Sequence, residues 1–189
     1  IIVYTSDQGF YMGEHGWFDK RFMYEESFRT PLLIMYPKMI KAGSVCNELV
    51  QNIDYAPTYL ALAGVESPVK MDGRSLVPLF SGDKPQEWRE NLYYHYYDYP
   101  AIHMVRRHDG VFDGRYKLIH FYGEGKGKDE GADIEYFELY DLLTDPHEMK
   151  NVYNDTAYKE HADRLRKELH GYQQDLDIVE GNLNLNEKI

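Results

Sequence analysis

The chain has 189 residues, 43% hydrophobic and 28% charged, the balance of an ordinary soluble globular protein with room for one domain or a piece of a larger one. Its formal net charge of −11 argues against nucleic acid as a partner, because phosphate binding needs a basic surface. No apolar run approaches the roughly 20 residues that span a bilayer, and the single cysteine, Cys46, excludes an internal disulfide and a cysteine-based zinc site. An anionic substrate remains compatible if a few cations converge locally. The 18 tyrosines each join a flat apolar body to a hydroxyl, which suits packing against sugars and equally suits half-exposed sheet positions.

Residues 1–5, IIVYT, read as a buried strand, and the SDQG that follows has turn composition. Asp7 and Gln8 then stand at the carboxyl end of that strand, the edge where open parallel α/β sheets bind ligands. A start inside a core strand, without methionine, is expected of a chain cut from a longer one, with any targeting segment upstream. Residues 9–30 are loop-like, and PLLIMYP, residues 31–37, reads as a second buried strand bounded by prolines. Asp54 is the expected N-cap of a helix over 55–63, with Pro57 in its first turn and Gly64 as terminator. Residues 65–90 are turn-rich and should pass over the surface or link two lobes.

From Asn91 the character changes. LYYHYYDYP, the alternation around Val111, YKLIHFY and FELYDL predict strands of an antiparallel sheet. Residues 123–133, GEGKGKDEGAD, predict a mobile hairpin loop between the last two, and Thr144-Asp145-Pro146 marks a turn. Asp155 or Thr156 should cap a helix whose core stripe is Ala162, Leu165, Leu169, Tyr172 and Leu176. The expected organisation is therefore the end of an α/β core over residues 1–80, an antiparallel sheet with one packed helix over 91–177, and a tail over 178–189.

The chemistry concentrates between Ser6 and Pro37. Asp7 and Gln8 put a carboxylate and an amide carbonyl on one tight turn, oxygens of the kind a hard divalent cation takes, although such turns also form with no ligand. Lys20 suits a tetrahedral oxyanion, and is also one lysine among many. His15 offers a ligand, a proton donor or a loop-packing ring. Glu25 and Glu26 could pair with Lys20 or Arg29, or simply favour a helix start. A second cluster, His103, Arg106, Arg107 and His108, puts four potential cations in six positions amid tyrosines. It suits carboxylate or sulfate groups, or ordinary ion pairs to Asp98, Asp109 or Asp113.

In order and spacing these residues resemble the type I sulfatases. SDQG, GEHG, Lys20, Tyr24-Glu25, Pro31 and the following Tyr-Pro stand in the family's register, with further echoes in NIDYAPTYLALAGV, DGRSLVPLFSG, YKLI and ELYDLLTDPHEMKNV. The resemblance runs from Ile1 to about Asp177 and is nearest in wording to bacterial glycan sulfatases of the N-acetylglucosamine-6-sulfatase kind. It implies an α/β fold: the C-terminal end of an alkaline-phosphatase-like core plus a small antiparallel subdomain. Asp7 and Gln8 then match the later pair of Ca2+ ligands, and Lys20 matches the lysine that contacts the sulfate and stabilises the leaving oxygen. His15, His103, one of Arg106 or Arg107, and His108 are the expected substrate contacts, with a sulfated carbohydrate as partner.

The family nucleophile is a formylglycine made within C-x-P/A-x-R or S-x-P/A-x-R. Cys46 sits in SVCNELV, lacks that context, and is expected to be a small buried or loop residue. The nucleophile and the first metal ligands are thus expected upstream, and this segment alone is expected to be inactive and to bind calcium weakly at best. The resemblance also implies an exported protein. Two alternatives stand beside it: a phosphoesterase or phosphonate monoester hydrolase of the same superfamily, which often has His where this chain has Gln8, and a non-catalytic domain that binds glycan or a partner.

Overall fold

The computed structural model describes residues 1–82, 85–99, 101–123, 134–176 and 178. The loop expected over 123–133 and the tail after Asp177 lie almost wholly outside the described residues. The chain divides into two compact units, Ile1–Gln8 with Thr30–Leu92, and Gly9–Arg29 with Tyr93–Ile189. The sequence reading kept residues 9–29 with the first 80, whereas the contacts group them with the later strands.

In the first unit, β1 (Ile2–Thr5) and β4 (Leu32–Met35) form a two-stranded ribbon in the register Ile2↔Met35 to Thr5↔Leu32. The pairing is antiparallel, so the parallel-sheet edge expected at Asp7 is not what these two strands build. Nor are they buried on both faces. Leu32 and Ile34 pack on a cluster around Leu76, Leu79, Phe80 and Trp88, while Ile2, Tyr4, Leu33 and Met35 share the opposite face and each stays more than half exposed. The apolar run without alternation suggests two covered faces, and the described residues cover one.

Helix α2 spans Tyr55–Ala63 and ends at Gly64, whose φ of 67° is the left-handed cap that glycine adopts without strain. Asp54 precedes it as expected but does a different job. Its carboxylate accepts the Gln51 and Arg74 backbone N–H groups at 2.7 and 2.8 Å and is clamped by the Arg89 guanidinium, so a fully buried anion is satisfied on all sides.

The second unit is built on a four-stranded sheet in the order β5 (Leu92–Tyr96), β6 (His108–Phe112), β7 (Tyr116–Gly123) and β8 (Ile134–Asp141), with β6–β7 and β7–β8 antiparallel. The side-chain alternation of β7 sorts its residues onto two faces. Tyr116 and Leu118 join Val111 and Leu139 against Ala162, Leu165 and Leu169 of helix α3 (Lys159–Asp175). Ile119 and Phe121 face the other way, onto Tyr11, Phe22, Met23 and Tyr24. Both faces are therefore covered, which is why six consecutive residues of β7, Tyr116–Phe121, are buried. At Gly110 on β6 a Cβ would stand 2.4 Å from the Leu118 carbonyl oxygen and 2.5 Å from Met23 Sδ, so segment 9–29 approaches the sheet where a side chain is missing.

Segment 9–29 holds a short hairpin, β2 (Tyr11–Met12) with β3 (Phe18–Asp19), and a single helical turn, α1 (Glu25–Phe28). Gly9 must be glycine, because a Cβ there would lie 1.9 Å from the Glu26 carbonyl oxygen, and its N–H donates to the Ser27 carbonyl at 3.0 Å. Before α3, the Asp155 carboxylate accepts the Ala157 N–H at 2.9 Å, capping the 3-10 turn over Thr156–Tyr158 that leads into the helix rather than α3 itself. Leu176, expected in the stripe, lies past the last turn and is exposed. Leu165 is wholly buried between α3 and the sheet, so Leu165→Ala should lower the unfolding free energy by about 2–5 kcal/mol, read from urea unfolding monitored by circular dichroism. A loss below about 1 kcal/mol would mean that α3 is not packed as described.

Candidate functional site

Two places carry the residues singled out from the sequence, one in each unit. In the first, Ser6 Oγ donates to the Gln8 carbonyl at 2.8 Å and lies 3.4 Å from Asp7 Oδ1, closing the turn that follows β1. The Asp7 side chain is exposed and Gln8 is half-buried. Among the described residues no group of three or more His, Cys, Asp or Glu is placed to hold a metal ion. The turn thus offers part of an oxygen shell for a cation that takes roughly six to eight ligands.

The second place is the turn that carries Lys20. Asp19 has φ 91° and Arg21 has φ 104°, both in the region that side chains disfavour, and Lys20 sits between them. The strain is held by specific bonds. The Arg21 N–H donates to Ser27 Oγ at 3.0 Å, and the Arg21 carbonyl accepts from the Tyr94 hydroxyl. The Arg21 guanidinium donates to Asp19 Oδ2 at 2.5 Å and reaches His103 Nε2 at 2.7 Å. His103 Nδ1 lies 3.0 Å from the same Asp19 oxygen. A carboxylate, a guanidinium and an imidazole, each partly open to solvent, are therefore bonded to one another on and beside the turn that carries Lys20.

His15 belongs to the same segment but packs rather than projects. Its ring stacks on Tyr24 with centroids 4.5 Å apart, and its Nε2 is 3.4 Å from Glu26 Oε2. Glu25 pairs with neither Lys20 nor Arg29. It meets Lys117 at 2.7 Å, and Lys117 also meets Glu148 at 2.8 Å. Burial is the largest influence on Glu148 and raises its carboxyl above the usual range, against the opposing pull of the Lys117 ammonium.

The four-cation cluster expected between His103 and His108 is not one site. His103 joins Asp19 and Arg21 as above. Met104, at φ 52°, turns the chain before the others. The Arg106 guanidinium lies 5.0 Å from the centre of the Tyr99 ring, and Arg107 donates to the Tyr97 and Tyr99 carbonyls at 3.2 and 2.9 Å. His108 begins β6 and is wholly buried, with Nδ1 on the Arg106 carbonyl at 2.8 Å and its ring among Phe22, Tyr94, Tyr96 and Phe121. The imidazole is thus a packing group rather than a surface cation. The ion pairs weighed for this cluster are absent as well: Asp109 faces His120 at 3.1 Å and Asp113 pairs with Arg164. Cys46 is exposed in a loop.

Asp19 and Arg21 escaped the sequence reading. The available signal was their position on either side of Lys20; the backbone geometry that turns both toward His103 leaves no mark in the identity of non-glycine residues.

The mixed α/β frame is one shared with solved sulfatases and phosphonate monoester hydrolases. The family profile of the N-sulphoglucosamine sulphohydrolase C-terminal region matches residues 13–175, and the chain belongs to that family. It is 50% identical over 176 residues to an N-acetylglucosamine-6-O-sulfatase of Bacteroides thetaiotaomicron, a match covering 92% of this chain and 30% of that protein. A protein solved in complex with its substrate D-glucosamine-2-N,6-O-disulfate superposes with a TM-score of 0.82 at 46% identity, covering 99% of this chain and 36% of that one. A phosphonate monoester hydrolase of Agrobacterium radiobacter superposes at 0.75 with 25% identity, covering 92% and 34%. The chain spans about a third of the length of these relatives. No helix among the described residues is long and apolar enough to cross a membrane.

The buried imidazole makes stability depend on pH. Burial pushes His108 down to about 4, below the ordinary value of about 6.5, so the unfolded chain binds the extra proton first. Its contribution is complete above about pH 6.5 and is lost as pH falls towards 4, by up to roughly 3 kcal/mol. Urea midpoints measured from pH 7 to pH 4 should fall more steeply for the wild type than for His108→Phe. Parallel curves would show that the ring is not held neutral.

Proposed function

We propose that this chain is the C-terminal portion of a sulfuric ester hydrolase that removes sulfate from a sulfated glucosamine-type sugar. The observation that carries the reading is the Lys20 turn, braced by Asp19, Arg21 and His103, in a chain half identical to an N-acetylglucosamine-6-O-sulfatase. The exposed apolar face of Ile2, Tyr4, Leu33 and Met35 supports further polypeptide packing on this one. Such a substrate implies an exported enzyme.

In this reading the Lys20 ammonium faces the bridging oxygen as the S–O bond breaks, where negative charge develops. Asp19 and Arg21 hold the turn so that the ammonium need not reorganise, and with His103 they offer acceptor and donor groups to the ring hydroxyls or to a second anionic substituent. Asp7 and Gln8 would hold Ca2+ together with ligands from outside these residues; the bound ion supplies orientation and charge neutralisation for the sulfate oxygens. The exposed carboxylate of Asp7 and its neighbouring amide fit that role as part of a shell. The formylglycine nucleophile would also lie outside the chain, since Cys46 has neither the Pro/Ala nor the Arg that conversion requires.

The full-length protein should hydrolyse a 6-O-sulfated glucosamine, and Lys20→Ala should cut its turnover by ~10²-fold or more. Turnover unchanged by that substitution would remove Lys20 from the site. Asp7→Ala should lower both bound calcium, read by atomic emission, and activity, while unaltered calcium content would exclude Asp7 as a ligand. Residues 1–189 purified alone should show no aryl sulfate turnover.

A further inference from the structure

The peptide group that joins Lys20 to Arg21 is gripped from outside the turn, and the grip is anchored in a buried ionic cluster. The N–H of that peptide, on Arg21, donates to Ser27 Oγ at 3.0 Å. The next carbonyl along, that of Arg21, accepts from the Tyr94 hydroxyl, whose ring sits on β5. Ser27 is wholly buried in α1, a turn of four residues with little stability of its own. What holds α1 in place is Glu25 at its start. Its backbone N–H donates to Glu148 Oε2 at 2.7 Å, and its carboxylate meets the Lys117 ammonium, itself wholly buried on β7. Lys117 lies 5.0 and 5.6 Å from the centres of the Phe28 and Phe112 rings, so the ammonium is enclosed by two carboxylates and two aromatic faces.

We infer that Ser27 and Tyr94 are positioning residues for the reaction: Ser27 holds the peptide that follows Lys20, Tyr94 holds the next one, and together they fix the backbone from which the Lys20 side chain departs, while the Lys117–Glu25–Glu148 cluster fixes Ser27 in register with it. The inference rests on the reading of Lys20 given above. The geometry explains why Asp19 and Arg21 keep unfavourable φ values. A lysine on an ordinary flexible turn would sample many directions, whereas here both polar groups of Arg21 are tied down by side chains from α1 and β5. A displacement of about 1 Å at a charge-stabilising group can cost a large factor in rate without affecting binding of the rest of the substrate.

The test is a double-substitution cycle in the full-length enzyme with a 6-O-sulfated glucosamine, comparing Ser27→Ala, Lys20→Ala and the pair. Ser27→Ala should lower kcat by about tenfold with KM little changed, and should have no further effect once Lys20 is alanine, because it acts through that side chain. The same pattern is expected of Tyr94→Phe, which keeps the ring, so that loss of folding in one variant leaves the other to decide. Equal loss in both backgrounds, or a normal kcat in Tyr94→Phe with the midpoint of thermal unfolding preserved, would overturn the inference. Failure of Lys20→Ala to slow the enzyme would instead overturn the reading on which it rests.

Discussion

A buried ammonium between two carboxylates is expensive to assemble, and the second unit is organised around one. Lys117 has no exposed surface and lies on a strand whose neighbours, Leu118 and Ile119, are just as deeply buried. Taking an ammonium and two carboxylates out of water costs several kcal/mol per ion, regained only if the geometry is close and the remaining hydrogen-bonding capacity is filled. The geometry is close: the ion-pair distances are 2.7 and 2.8 Å, and Glu148 uses its other oxygen on the Glu25 N–H. Glu148 even adopts φ 51° to present its carboxylate. Apolar residues of similar volume would fill this space at less cost. They would not specify, as a directed charge does, which turn of segment 9–29 lies over which residue of β7. The cluster therefore supplies register where hydrophobic packing alone, mediated by Phe22, Met23 and Tyr24, would tolerate sliding.

That register matters because the segment it holds is strained. His15, Asp19 and Arg21 all have positive φ within seven residues, and none is glycine. Each such residue costs of order 1–3 kcal/mol and persists only where its surroundings over-determine it. The surroundings here are identifiable: Tyr24 beneath His15, the mutual bonds of Asp19, Arg21 and His103, and the ties from Ser27 and Tyr94. Strain of this kind fixes the backbone on both sides of Lys20 before any ligand arrives.

The outline of the fold could be read from residue order because its signals were local. Asp155 before a three-four stripe, Gly64 after an apolar helix and alternation across tyrosine-rich strands are each complete within a dozen residues. What escaped was whatever depends on contacts far apart in sequence. Segment 9–29 looked like a loop because its partners, β7 and the turn holding Glu148, lie some hundred residues away. Lys117 in YKLI gave no hint of burial, since a lysine in a strand is normally a solvent-facing residue. The ribbon of β1 and β4 misled in the opposite sense: an apolar run implies that both faces are covered, whereas among the described residues only one face is.

The candidate site divides along the same line. The order of Asp7, Gln8 and Lys20 marks a family, and a family motif survives in one dimension. The four cations after Tyr99 did not behave as a group, because proximity in sequence is a poor guide once a strand begins inside the cluster. His108 opens β6, so its side chain follows the face the sheet gives it, into a layer of four aromatic rings where a protonated imidazole is disfavoured. His103, five residues earlier and before the chain turns at Met104, is free of that constraint and reaches the Lys20 turn. Charge alone therefore does not say where these side chains go. Arg21, outside that cluster, has its guanidinium bonded by Asp19 and His103 on the turn that carries Lys20, where the Arg21 N–H is held by Ser27.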